Sequence, residues 1–387
     1  MIERDCGYLR NGIFIEPTKI DGKVKPCCII KTFYDKKYTH NTVEEQLNAM
    51  FDPSYLYKNF KDTVCYKCTQ EEKLSPTFGS RINSLDTVKK HNIPIGKVAF
   101  LQVAFSAFCN FKCLYCGPHS STEWNKDIEE MQKRNIPFNY PYLEIQTTAE
   151  ETFKRELEII NDIKKLDLTY LREVGIFGGE PFMTRHLDEF LQIIVEKGTP
   201  GHTVLQINTN ASIFPKNEII KSLVKFDLVD LRISGESVGG LAEYIRNGLK
   251  WKVYNKNIIQ WKELSKEHSN IELRLHMAHN VYNINRLQET EEWMFDNNLK
   301  PYNAFVRGPH YTDIRKVLHK DQINECISRV KKLRMKDISK TLIGFLQNNY
   351  YNQEALNDFK DFTGKLDSIR KTSLKEVNPE LYEWTFT

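Results

Sequence analysis

The chain has 387 residues, a formal net charge of +4 and 27% charged side chains. So even a balance is not the footprint of a dedicated nucleic-acid binder, although it leaves room for a local basic patch. The longest apolar-rich run, Val98 to Phe108, is too short to span a bilayer, and the N-terminus MIERDCGYLRNG has no apolar signal segment.

A soluble, cytoplasmic protein is therefore expected, with 40% apolar and 12% aromatic residues to build a sizeable core in one large or two medium domains. Nine cysteines are many for that compartment, where disulfides are disfavoured, so clustered thiols point to metal or redox chemistry. All but Cys326 precede residue 117, and Cys326 reads as a small packing residue on a helix.

In chain order, residues 1–90 carry Cys6, Cys27, Cys28, Cys65 and Cys68. Ile13 to Ile30 reads as a hairpin turning at Asp21-Gly22, with Cys27 and Cys28 at the end of the return strand. TVEEQLNAMF reads as a helix, and Cys65 and Cys68 form a C-x2-C knuckle suited to zinc or iron–sulfur. Residues 80–96 look like a partly helical connector.

From Lys97 the pattern alternates strand and helix. Strands are expected at KVAFLQVAF, Glu173 to Phe177, Thr203 to Asn208, Val229 to Ser234, Ile271 to Met277 and roughly Tyr302 to Val306. An aromatic and polar insert spans roughly 119–147. Thr148-Ala-Glu-Glu151 reads as a capping box opening a helix with a stripe of Phe153, Leu157, Ile160 and Ile163. Such alternation predicts a parallel sheet with helical crossovers, and six strands are too few for a closed eight-stranded barrel. Residues 312–387 look helical, and their basic stretch from Lys331 to Lys340 reads as a solvated face.

The first barrel strand runs into FSAFCNFKCLYCGP, which places Cys109, Cys113 and Cys116 within eight residues. Three close thiolates need a metal or positive charge, and three ligands rather than four leave a metal position open. The other unusual residues also fall at strand ends: Gly178-Gly179-Glu180-Pro181, Asn208-Thr209-Asn210, Ser234-Gly235-Glu236, His276 and His279, and Arg307-Gly308-Pro309-His310. In parallel α/β architectures, chemistry sits at the C-terminal ends of strands. The two histidines read as core residues, and no P-loop, G-x-G-x-x-G or H-E-x-x-H is present.

C-x3-C-x2-C with Tyr115 before its last cysteine resembles the signature of the radical S-adenosylmethionine (SAM) superfamily. The resemblance implies a partial (β/α)6 TIM-like barrel over 91–311. Cys109, Cys113 and Cys116 would hold three irons of a [4Fe–4S] cluster whose fourth iron chelates SAM. Gly178, Gly179, Glu180 and Pro181 would take the methionine amino group, and Tyr115 would lie near the adenine.

The family's Q-T-N-G strand end matches here as Asn208-Thr209-Asn210-Ala211, with Ala in place of Gly and Asn208 as the cofactor contact. Its S-x-D-G end matches at Ser234 with Gly235-Glu236 replacing x-D; Arg246 would then pair with the cofactor carboxylate.

The N-terminal cysteines resemble the twitch or SPASM extension, implying a second, auxiliary [4Fe–4S] cluster on Cys6, Cys27, Cys65 and Cys68. Adjacent Cys27 and Cys28 leave the second ligand open, and four thiolates suit zinc equally well. The extension precedes the barrel here, whereas it more often follows it.

The implied activity is one-electron reduction of the cluster, homolysis of SAM and hydrogen abstraction by a 5′-deoxyadenosyl radical. A donor such as flavodoxin or ferredoxin would supply the electron. A peptide or protein is the first substrate expected. A nucleotide or sugar-type metabolite is the second, and a zinc protein that binds RNA or protein is the non-enzymatic alternative. No membrane or nucleic-acid partner is expected.

Overall fold

The computed structural model describes residues 6–15, 24–28, 40–51, 68, 79–137 and 148–387. Cys65, the hairpin turn at Asp21-Gly22 and the end of the insert lie outside them. The fold is α/β on an eight-stranded, mostly parallel sheet. Among the described residues no helix is long and apolar enough to cross a membrane. Contacts divide the chain into two units, Met1–Ala107 with Thr148–Ile207 and Pro215–Asp230, and Phe108–Thr147 with Asn208–Phe214 and Leu231–Thr387.

In the first unit, the strand Phe100–Ala104 is buried along its whole length, as a strand covered on both faces must be. Glu173–Phe177 pairs with it in parallel, and Val204–Thr209 pairs with Glu173–Phe177. On its other side lies Gly12–Ile15, also parallel, and Val24–Lys25 folds back antiparallel on Gly12–Ile15. The expected hairpin therefore forms, and it extends the barrel sheet by two strands. Its local turn signal carries no information about which sheet it joins.

Thr148 caps the helix Ala149–Ile163 through the expected capping box. The buried face of that helix runs through Thr152, Glu156, Ile159, Ile160 and Ile163, leaving Leu157 48% exposed. The stripe expected through Phe153 and Leu157 was thus offset by part of a turn, because polar Thr152 and Glu156 take inward positions.

In the second unit, Ile271–His279 alternates buried and half-buried residues and pairs in parallel with Lys300–Phe305. The strand Leu228–Ser234 ends here. Every strand expected of the barrel is present within three residues of its expected ends. The insert holds a helix the sequence reading missed, Trp124–Lys133, whose buried Trp124 stacks on Phe362 of the C-terminal helix Gln353–Arg370. Residues beyond 312 are helical, and Lys331, Lys332, Arg334, Lys336 and Lys340 are all exposed. Cys326 is fully buried.

Candidate functional site

The three-cysteine loop lies in the second unit and is pinned at several points. Lys112–Cys113 forms a two-residue antiparallel ladder with Arg246–Asn247, pairing Cys113 with Arg246. Leu114 N–H donates to the Ile245 carbonyl at 2.9 Å, and Cys116 N–H to the Cys113 carbonyl at 3.1 Å. Lys112 Nζ meets buried Asp127 at 2.5 Å, and Arg370 grips the same carboxylate at 2.7 Å. These contacts fix the loop from both its flank and the C-terminal helix.

Cys109 and Cys113 are buried and Cys116 is half-buried. Two of the three sulfurs receive N–H donors. Asn210 Nδ2 lies 3.7 Å from Cys109 Sγ, and Arg246 Nη1 lies 3.8 Å from Cys113 Sγ. Asn210 is itself steadied by Asn110 Oδ1 at 3.0 Å. Burial pushes the Cys113 thiol up while the Arg246 charge pulls it down, and burial with the Cys113 charge raises Cys116 to about 12. Thiols of this kind are deprotonated when a metal binds them.

Three thiols with N–H donors at two sulfurs are a donor set of the kind that suits an iron–sulfur cluster.

Around the loop lies a buried polar network that sequence reasoning did not find. Glu236 is 2% exposed and receives Arg246 Nε at 2.6 Å, Arg246 Nη2 at 2.5 Å and the Tyr115 hydroxyl at 2.7 Å. Arg246 Nη2 also donates to the Tyr115 hydroxyl at 2.7 Å. Burial works against the Arg246 charge, yet Glu236, Tyr115 and Cys113 hold it firmly protonated. Burial and the Glu236 charge raise the Tyr115 phenol well above its ordinary range, against the pull of Arg246. The sequence singled out Tyr115, Arg246 and the Gly235-Glu236 departure from x-D separately without joining them, and Asn210 was visible only as part of the strand-end triplet.

Asn208 Oδ1 is enclosed and meets no hydrogen-bond donor among the described residues, as a group awaiting a ligand would be. Ser234 is half-buried and its carbonyl accepts from the Tyr254 hydroxyl at 3.1 Å. Ala211 has φ +54, the left-handed region where the family's glycine is at ease. His279 is buried with Nε2 2.6 Å from Asn303 Oδ1, and His276 packs edge-on to Tyr302. Burial lowers both imidazoles to about 4.

Gly178, Gly179, Glu180 and Pro181 belong to the first unit. Gly178 has φ +102, and a Cβ there would lie 2.7 Å from the Ser106 carbonyl oxygen. Only glycine permits that approach, which Gly179 N–H completes by donating to the same oxygen at 2.7 Å. Glu180 is buried and accepts from Phe182 N–H at 3.2 Å. Cys6 and Cys27, in the same unit, share a buried cluster with Tyr8, Leu9, Ile93, Ala99 and Phe100. Cys68 is buried and Cys28 exposed.

A parallel α/β sheet with three clamped thiols after a strand defines a cluster-binding α/β protein. Residues 103–294 match the model of the Radical SAM superfamily, and the chain belongs to it. Membership implies a [4Fe–4S] cluster and SAM.

GTP 3′,8-cyclase from Campylobacter lari is 24% identical over 164 residues, 42% of this chain and 40% of that protein. GTP 3′,8-cyclase from Sulfurovum sp. is 21% identical over 310 residues, 74% of this chain and 80% of that protein. The chain thus spans about two fifths of the Campylobacter relative. Among solved structures, Streptococcus suis SuiB bound to S-adenosylmethionine overlaps with a TM-score of 0.36 at 16% identity, covering 76% of this chain and 54% of SuiB. Native anSMEcpe with bound AdoMet and the Cp18Cys peptide overlaps with a TM-score of 0.39 at 12% identity, covering 60% and 58%.

Proposed function

We propose that this chain is a radical SAM enzyme acting on a peptide or protein. The observation that carries the activity is the loop of Cys109, Cys113 and Cys116, buried, clamped by the Arg246–Asn247 ladder and supplied with N–H donors at two sulfurs. When bound, the cluster supplies the electron that cleaves SAM reductively, giving the 5′-deoxyadenosyl radical that takes hydrogen from substrate.

The chain's own residues position and exclude water. Gly178 to Pro181 offer backbone and carboxylate acceptors for the methionine ammonium. Asn208 Oδ1 offers an acceptor, and Ser234 a hydroxyl for the ribose or carboxylate. Cys6, Cys27, Cys65 and Cys68, in an N-terminal segment expected to act as a domain of its own over 1–90, are proposed to hold an auxiliary cluster. A flavodoxin or ferredoxin is the proposed electron donor.

The substrate rests on analogy with enzymes carrying such extensions. A nucleotide substrate is the second reading, favoured by the name GTP 3′,8-cyclase on both curated relatives. Anaerobic reconstitution with iron and sulfide should give a brown protein that makes 5′-deoxyadenosine from SAM and reductant. Deuterium transfer from labelled candidate peptides or GTP into that product separates the two substrates. A colourless zinc protein without the activity would end both readings.

A further inference from the structure

Family resemblance assigns Arg246 to the cofactor carboxylate, yet its guanidinium already faces a carboxylate of the chain itself. Glu236 takes Nε at 2.6 Å and Nη2 at 2.5 Å, the side-on fork by which arginine grips carboxylates. The ladder pairs Arg246 with Cys113, and the remaining nitrogen, Nη1, lies 3.8 Å from Cys113 Sγ. Tyr115, one residue before the third cysteine, closes the network through both partners. Glu236 is fixed in turn, since its carbonyl accepts from Asn283 Nδ2 at 3.0 Å.

We propose that Arg246 is a positioning residue for the iron–sulfur cluster: balanced by Glu236, it donates to the Cys113 thiolate and sets the ease of reduction, and does not take the cofactor carboxylate. The proposal rests on the radical SAM reading above. Hydrogen bonds to cluster sulfurs and net charge nearby are established levers on cluster potential. In this dry setting the two partners pull in opposite directions. Removing Glu236 leaves an unbalanced cation that favours the reduced cluster, and removing Arg246 leaves an unbalanced anion that opposes it.

The test is an anaerobic redox titration of reconstituted wild type, Glu236→Gln, Arg246→Gln and Tyr115→Phe, followed by visible absorption and electron spin resonance, with SAM affinity measured separately. Glu236→Gln should raise the reduced-to-oxidised ratio at fixed potential at least tenfold, about 59 mV for one electron, and Arg246→Gln should lower it comparably. Tyr115→Phe should move it less than either, and Arg246→Gln should bind SAM within tenfold of wild type.

Shifts of one sign in both charge variants, or no shift in either, would overturn the proposal. So would an Arg246→Gln variant with wild-type potential and SAM binding weakened more than tenfold. Should Arg246→Gln not fold, Glu236→Gln decides alone: a raised potential supports the idea, and one unchanged from wild type or lowered overturns it. Failure of the wild type to assemble a cluster would strike the radical SAM reading instead.

Discussion

The two groups of cysteines differ in the side chains buried around them. Around Cys109 and Cys113 the neighbours are polar and directional: an asparagine amide, a guanidinium and a backbone ladder. Around Cys6 and Cys27 the buried cluster is a tyrosine, a phenylalanine and aliphatic side chains, with Ser84 Oγ 4.0 Å from Cys6 Sγ, and burial raises the Cys6 thiol against weaker pulls from the Leu9 and Tyr8 amides, Ser84 and Arg81.

Their places along the sheet differ as well. Cys6 and Cys27 pack against Phe100, where the strand Phe100–Ala104 begins, whereas the Gly178 turn meets Ser106 just past its end. Six residue steps of extended chain separate Phe100 from Ser106, about 20 Å. A charged donor beside a thiolate acts on it electrostatically, as an apolar neighbour does not.

Removing a thiol from each group should break this comparison most visibly. Cys113→Ala is expected to abolish 5′-deoxyadenosine formation, a loss beyond the about 100-fold that a supporting residue costs. Cys27→Ser should instead remove one cluster, about four irons per chain by iron assay, and lower the unfolding temperature while SAM cleavage persists. Cys28→Ser, changing an exposed thiol, should do neither. If Cys27→Ser silences SAM cleavage at wild-type stability, a structural role for the N-terminal group is wrong.

A smaller effect tests the clamp itself. Gly248 has φ +108, and a Cβ there would lie 2.7 Å from the Asn110 carbonyl oxygen and 3.1 Å from the Phe111 ring. Gly248→Ala should cost about 2 kcal/mol in chemical denaturation, from the left-handed backbone and the clash together. Because the displaced residues flank Cys109, the variant should also lose iron to a chelator faster than wild type. Equal chelation rates would mean that the loop is held without this contact.

Much of this was legible in the chain. The strand Phe100–Ala104 announces itself because a fully buried strand reads as an apolar run, Val204–Thr209 and Ile271–His279 alternate, and the cysteine spacing and GGEP turn lie within single short stretches. What escaped depends on partners far apart in sequence. Cys113 and Arg246 meet across a ladder two residues long, too short for any periodicity to register. Glu236 looked like a poor match to a motif, and only folding shows that its carboxylate takes the arginine. The helix Trp124–Lys133 was hidden by an insert whose polar residues masked a single buried face, at Trp124, Ile128 and Met131. The parallel seat of Gly12–Ile15 depends on strand partners nearly ninety residues away.

The smallest expected effect concerns Ala211, where the chain departs from the family's glycine. Its φ of +54 costs an alanine about 1–2 kcal/mol relative to right-handed backbone. Glycine would relieve that cost, but it would also free the unfolded chain by about 0.5–1 kcal/mol and leave a buried methyl unfilled, about 0.8 kcal/mol more. These nearly cancel, so Ala211→Gly should shift stability by less than about 1 kcal/mol in chemical denaturation. The carbonyl of Ala211 is fixed by Asn257 Nδ2 at 2.8 Å, which should keep the adjoining Asn210 amide on Cys109 in the variant. An unchanged cluster potential with near-unchanged stability would show that alanine is tolerated because this contact, not the residue type, sets the turn. A shift in potential would instead make Ala211 part of the machinery that aims Asn210.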